Sequence, residues 1–176
     1  MEKEALLYEK LPGSRVKCHV CQWRCLINPG KLGVCRMRIN RDGKLYVLNY
    51  AEVSSMAADH IEKKPLFHFF PGTFAFSLGT WECNFHCQHC QNWEIACVDI
   101  PSTSQQLLPE RELFLPWQFG HDSGGWTYNE PTVWFEYTLD SARLAKENKL
   151  YTVYVTNGYI TPEALDTIGP YLDAWR

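Results

Sequence analysis

The 176-residue sequence predicts an α/β fold: an open parallel sheet of βαβ units preceded by a small cysteine-rich appendage that contains a hairpin. Three observations carry this. Strand-like and helix-like segments alternate from Phe74 onward, a rhythm that right-handed crossovers turn into a parallel sheet. Seven of the eight cysteines fall in two tight sets, Cys18, Cys21, Cys25 and Cys35, then Cys83, Cys87 and Cys90. Between those sets, Asp42-Gly43 separates two strand-like runs, a strong hairpin signal.

The length suits one core. A net charge of -3 and a pI near 6.1 give no electrostatic reason to expect nucleic acid as a partner. No basic segment followed by an apolar one opens the chain, and the longest apolar run, 65–81, is broken by His68, Pro71 and Gly72 and is too short to span a bilayer. The chain therefore reads as cytoplasmic, with no membrane partner. In such a reducing compartment grouped cysteines hold metal more often than they form disulfides.

Met1 to Lys10 predicts a short helix with Leu6, Leu7 and Tyr8 on its apolar side. The turns Asn28-Pro29-Gly30 and Lys31-Leu32-Gly33 let Cys18, Cys21, Cys25 and Cys35 converge, and Arg36 to Ile39 and Lys44 to Tyr50 form the hairpin around 40–43. Ala51 to Lys64, with its charged run Glu62-Lys63-Lys64, reads as a solvated linker. The domain boundary is thus drawn with the appendage and linker in 1–64 and the α/β core in 65–176.

Phe74 to Leu78 predicts the first core strand, which puts the second cysteine set just past a strand's carboxyl end, where parallel sheets place their sites. Residues 101–125 predict a short or broken helix, because Pro109 suits a first turn while Pro116, Gly120, Gly124 and Gly125 oppose its continuation. Trp126 to Asn129 closes a second strand, Pro131 to Asn148 is the best helix, with Phe135, Leu139, Ala142 and Ala145 on one face, and Tyr151 to Thr156 is a third strand stopped by Asn157-Gly158. Thr161 caps a last helix whose inward positions are Leu165, Ile168 and Leu172. Three such strands are too few to close a barrel.

The spacing C-x3-C-x2-C after a strand suits an iron-sulfur cluster ligated at three irons, with the fourth open to a substrate or cofactor. Alternatives on the residues alone are a structural zinc site that borrows His86 or His89, and three buried free thiols. Cys18, Cys21, Cys25 and Cys35 can hold zinc or a second iron-sulfur cluster, with His19 a weaker ligand. Cys97 stands apart and reads as a small buried residue.

Glu62 to Gly72, Cys83 to Ile95, Thr127 to Thr132, Phe135 to Tyr137 and Val155 to Leu165 closely resemble the AmmeMemoRadiSam-system radical S-adenosylmethionine proteins, relatives of the pyruvate formate-lyase activating enzymes. The resemblance covers nearly the whole chain and implies an incomplete (β/α) partial barrel with a [4Fe-4S] cluster on Cys83, Cys87 and Cys90. It further implies reductive cleavage of S-adenosyl-L-methionine to methionine and a 5'-deoxyadenosyl radical that abstracts hydrogen, with an electron donor such as flavodoxin or ferredoxin and an unknown protein or small-molecule substrate.

By the same resemblance Glu130, or the backbone of Asn129 beside it, meets the methionine amino group, and Asn157 and Gly158 line the cofactor at the third strand's end. Glu130 equally suits a helix N-terminal acid ahead of Pro131. His89 stands where an aromatic residue that packs on the adenine is usual, Trp23 where relatives often carry histidine. The resemblance stops at 171–176, where a fourth strand should begin, so the edge of Tyr151 to Thr156 is expected to be unpaired. A non-catalytic metal-binding fragment is therefore the second reading.

Overall fold

Phe74–Gly79 (β9 in chain order) is apolar and buried from its second residue on, as a strand covered on both faces must be. In the computed structural model, which describes residues 1–112 and 123–176, it lies in a five-stranded sheet. The order runs Ala174–Trp175 (β13), Tyr151–Tyr154 (β12), Ser123–Trp126 (β11), β9, Ser55–His60 (β8). The pairs β9 with β11, β11 with β12 and β12 with β13 are parallel, and β8 is antiparallel on the β9 edge. The fold is thus mixed α/β with several sheets, and among the described residues this sheet does not close into a barrel.

Two expectations change here. Ala51 to Lys64 is not a solvated linker: it holds β8, a 3-10 turn Ile61–Lys63 and a short strand Glu52–Val53 (β7), which pairs with Gln105–Gln106 (β10). Lys64 is buried because its ammonium pairs with Asp59 at 2.6 Å, and Lys63 and the Tyr128 hydroxyl reach the same carboxylate. The core sheet therefore takes a strand from the amino-terminal side of residue 64. The Tyr151 edge is not bare either, since Ala174 and Trp175 pair with Val153 and Tyr154 and Arg176 N–H donates to the Tyr154 carbonyl at 2.9 Å.

The second strand tolerates Gly124-Gly125 because both glycines are paired on each side, against Phe76-Ser77 and Thr152-Val153. The predicted helix near Pro109 is present as a turn at 109–112; its continuation through Pro116 and Gly120 lies outside the described residues. Pro131–Trp134 is 3-10 and leads into helix Phe135–Glu147 (α2, after the short α1 at Trp93–Ala96). Phe135, Leu139, Ala142 and Ala145 are buried as the spacing predicts. Glu136 and Ser141 are buried too, because the amino-terminal unit and the Glu112 turn cover further sides of α2.

The amino-terminal unit is all β. Met1 to Lys10 forms no helix: Lys3–Glu4 (β1) joins Lys44–Val47 (β6), and Tyr8–Leu11 (β2) joins Arg15–Cys18 (β3), whose other edge takes Leu26–Ile27 (β4). Alternate residues of β3 are buried against the core, so pairing overrides the marginal helix propensity of ten residues. Arg38–Arg41 (β5) pairs with β6 through Asp42 and Gly43, whose φ of 51° and 89° define the tight hairpin turn. Lys3 and the Tyr50 hydroxyl bind Asp140 on α2, and Arg38 grips Glu136 through two bonds of 2.9 and 2.8 Å. The last helix, Pro162–Ile168 (α3), is capped by Thr161 Oγ1 and ends before Leu172, which lies past a 3-10 turn.

Among the described residues no helix is long and apolar enough to cross a membrane.

Candidate functional site

Parallel pairing brings the carboxyl ends of β9, β11 and β12 to one edge of the sheet, and the segments that leave those ends are tied to one another. Asn129 accepts the Thr80 N–H at 3.1 Å and donates to the Glu82 carbonyl at 2.6 Å. Asn92 donates to the Tyr128 carbonyl at 2.5 Å, and Asn157 Nδ2 donates to Asn84 Oδ1 at 2.8 Å. Gly79 is where this joint is tightest, because a Cβ there would meet the Tyr128 ring at 3.0 Å and the Thr127 carbonyl at 3.2 Å.

Glu130 is the centre of the joint. It is 1% exposed, and its carboxylate accepts from Thr132 N–H (2.9 Å), the Thr156 hydroxyl (2.7 Å) and Asn157 N–H (2.7 Å). Burial pushes its carboxyl up against those three donors. Its geometry is that of a helix cap and a brace between two strand ends. Gly158, with φ of 76°, makes the turn that Asn157 begins and lies exposed beside it.

The cysteine loop occupies this edge. Cys83 and Cys90 are half-buried, Cys87 and His89 are exposed. A turn from Cys90 N–H to the Cys87 carbonyl shapes the loop, and Phe85 N–H points at Cys83 Sγ at 3.4 Å. Burial pushes the Cys83 thiol up to about 12, with the Glu130 and Cys87 charges adding to the rise. Glu82, the residue before it, is 1% exposed and raised by burial; Arg36 lies 3.3 Å from its carboxylate and also binds Asp99.

Cys97 is not the isolated buried residue that its place in the sequence suggests. It is exposed, and its Sγ lies 3.6 Å from His86 Nδ1. Its thiol is raised by desolvation and then by the charges of Cys90, Glu82 and Cys87. No spacing rule finds this neighbour, because a single helical turn, α1, brings it back.

The amino-terminal set sits against the same loop. Trp23 Nε1 donates to the Asn84 carbonyl at 2.9 Å, and Trp23 and Phe85 both pack on Tyr159. Asn84 Nδ2 is buried without a formed hydrogen bond, yet the Asn84 side chain draws the Cys21 thiol down against the larger upward push of burial. Cys18 and Cys35 are buried, with thiols pushed by burial up to about 11 and about 12, while Arg38 acts in the opposite direction. Cys21 and Cys25 are half-buried, and His19 turns to Arg24 and Glu9 rather than to the thiols.

Among the described residues no three His, Cys, Asp or Glu side chains are gathered around a point that would hold one ion. A tetrahedral zinc centre needs every sulfur at about 2.3 Å from that point. In both sets the thiols act on one another electrostatically without that convergence.

Fold and site together define a mixed α/β protein with a thiol-rich loop at the joined carboxyl ends of its parallel strands. No family model matches the chain. It is 42% identical over 169 residues to the uncharacterized protein MJ0808 of Methanocaldococcus jannaschii, covering 94% of this chain and 50% of that protein. The chain thus spans about half the length of the relative it matches.

Proposed function

We propose that this chain is the amino-terminal part of a radical S-adenosylmethionine enzyme of the activating-enzyme type, with a [4Fe-4S] cluster on Cys83, Cys87 and Cys90. The observation that supports this best is the joint at the sheet edge: the cysteine loop leaves β9 at the place where Asn129, Glu130 and Asn157 bind the ends of the next two strands to it. Thiolates that each bind a different iron are spread around a cluster, so a loop whose sulfurs do not converge on one point fits a cluster better than a single ion. The Phe85 N–H directed at Cys83 Sγ is the kind of donor that stabilises a bound thiolate.

When bound, the cluster supplies the electron that cleaves S-adenosyl-L-methionine and so yields the radical for hydrogen abstraction. The chain's own residues hold and orient. Glu130, fully engaged by its three donors, fixes the two strand ends, which leaves the backbone around Asn129 and the exposed Asn157-Gly158 turn to meet the cofactor. His89, exposed on the rim, is free of the core to stack on an adenine. The electron comes from a flavodoxin or ferredoxin type of donor, and the substrate is a protein or small molecule. The four amino-terminal cysteines form a second metal site for zinc or an auxiliary cluster, whose negative charge the buried Arg38 faces.

The test is anaerobic reconstitution with iron and sulfide, followed by assay for 5'-deoxyadenosine under reductant. Product from the wild-type chain and none from Cys87→Ala is the expected result. A cluster without product would leave the chain a non-catalytic metal-binding fragment, and no cluster would overturn the proposal.

A further inference from the structure

We propose that Cys97 is a fourth thiol donor of the cluster loop, closing the iron that Cys83, Cys87 and Cys90 leave open and giving way when S-adenosylmethionine binds. This rests on the cluster reading above.

The local chain path carries the inference. After Cys90 the chain turns at Asn92 into α1, whose Ile95 carbonyl accepts the Glu82 N–H at 2.8 Å. That bond fixes the helix to the residue immediately before Cys83. Ala96 is buried at 2% exposure and anchors the end of the turn. Cys97 N–H then bonds the Trp93 carbonyl at 3.2 Å, and the next side chain out of the core is the Cys97 thiol.

It comes out beside His86 at 3.6 Å, on the rim that the exposed Cys87 shares, within electrostatic reach of Cys87 and Cys90. Core packing does not account for a cysteine here, because the side chain is exposed. Three thiols from the loop plus one from the end of α1 make the four-donor set that a fully ligated cluster takes. Cys83 is not among the charges that act on Cys97, which puts the fourth thiol on the Cys87 and Cys90 side of the loop.

The exchange is a ligand substitution without a change of oxidation state. The iron–sulfur bond to Cys97 breaks, the thiolate keeps its electron pair and takes a proton from solvent, and the cofactor's amino nitrogen and carboxylate oxygen form the new bonds to iron. An exposed thiol at the end of a one-turn helix can move aside at small cost, since few contacts hold it.

The experiment uses the reconstituted full chain, wild type and Cys97→Ala, oxidised mildly with ferricyanide in the absence of S-adenosylmethionine. An iron without a protein ligand is lost as ferrous ion, leaving a three-iron cluster that electron paramagnetic resonance and iron counting both read. Cys97→Ala is expected to give several-fold more three-iron cluster than wild type, and added S-adenosylmethionine is expected to abolish the difference. Any cluster on the amino-terminal cysteines is common to both proteins and cancels.

A second measurement needs no variant. In the reconstituted wild type, iodoacetamide labelling of Cys97, mapped by mass spectrometry, should be several-fold slower without S-adenosylmethionine than with it. Equal three-iron yields, or equal labelling, overturn the role of Cys97 while leaving the cluster itself standing. Failure of the wild type to take up any cluster removes the parent proposal and this one together.

Discussion

The two cysteine regions use the same side chain in opposite surroundings. Cys18 and Cys35 lie at 4% and 6% exposure beneath the strands of the amino-terminal unit, over the buried Arg38–Glu136 pair. Cys87 and Cys97 stand in the open at the sheet edge. Cover, and not residue type, sets what each thiol can do: the first set is sealed and suited to a permanent centre, the second is accessible and suited to exchange. Asn84 and Trp23 are where the two meet, so the sealed set holds the open loop in place.

The largest expected effect tests that contrast directly. In the metal-free protein, alkylation at pH 8 should label Cys87 and Cys97 roughly a hundredfold or more faster than Cys18 and Cys35, because the thiolate reacts and burial suppresses it. Peptide mapping over time reads the ratio. Comparable rates for all four would break the comparison.

Next comes Glu136→Ala, which leaves Arg38 buried without its partner. Loss of one member of a buried pair costs about 3–5 kcal/mol, read by urea denaturation, and Cys18 and Cys35 should become reactive in the variant. Loss of stability without that exposure would separate the pair from the thiols it underlies.

High pH, the ordinary way to drive thiol labelling, also acts on the fold through Glu112. Its carboxyl is fully buried beside the Ser141 hydroxyl, and burial raises it from 4.5 to about 7. A folded-state pKa above the unfolded one means the fold holds the proton. The contribution is complete below the ordinary carboxylate pKa and is lost as pH rises through about 7. Holding a proton across one pH unit is worth about 1.4 kcal/mol. Wild type should therefore lose about 3 kcal/mol relative to Glu112→Gln between about pH 4 and about pH 8, followed by urea denaturation at each pH. Parallel stability curves for the two proteins would remove Glu112 from the account.

Much of the frame was legible in the residues. The β-branched and aromatic run at Tyr151, the cap at Thr161 with Pro162, the Asp42-Gly43 turn and the apolar face of α2 each follow a local rule, and local rules act over a few residues. Where the sequence misled, a distant partner decided. Met1 to Lys10 became strand because β3 and β6 offered their edges. The charged run before Pro65 became buried because Asp59 and Tyr128 completed an ion-paired cluster around Lys64. Glu130 was legible as a cap, but its bonds to Thr156 and Asn157 depend on a strand that pairs more than twenty residues later.

The sequence alone determined which segments form strands and helices in the core, that three cysteines follow the first core strand, and that Glu130 and Asn157 follow the next two. These are properties of periodicity and spacing, which a short window contains. Tertiary structure decided that those three ends bind one another, that Cys97 returns to the loop it seemed to have left, and that the amino-terminal thiols are sealed where the loop thiols are open. Burial and proximity come from pairing across the sheet and packing across α2, and no local pattern carries them.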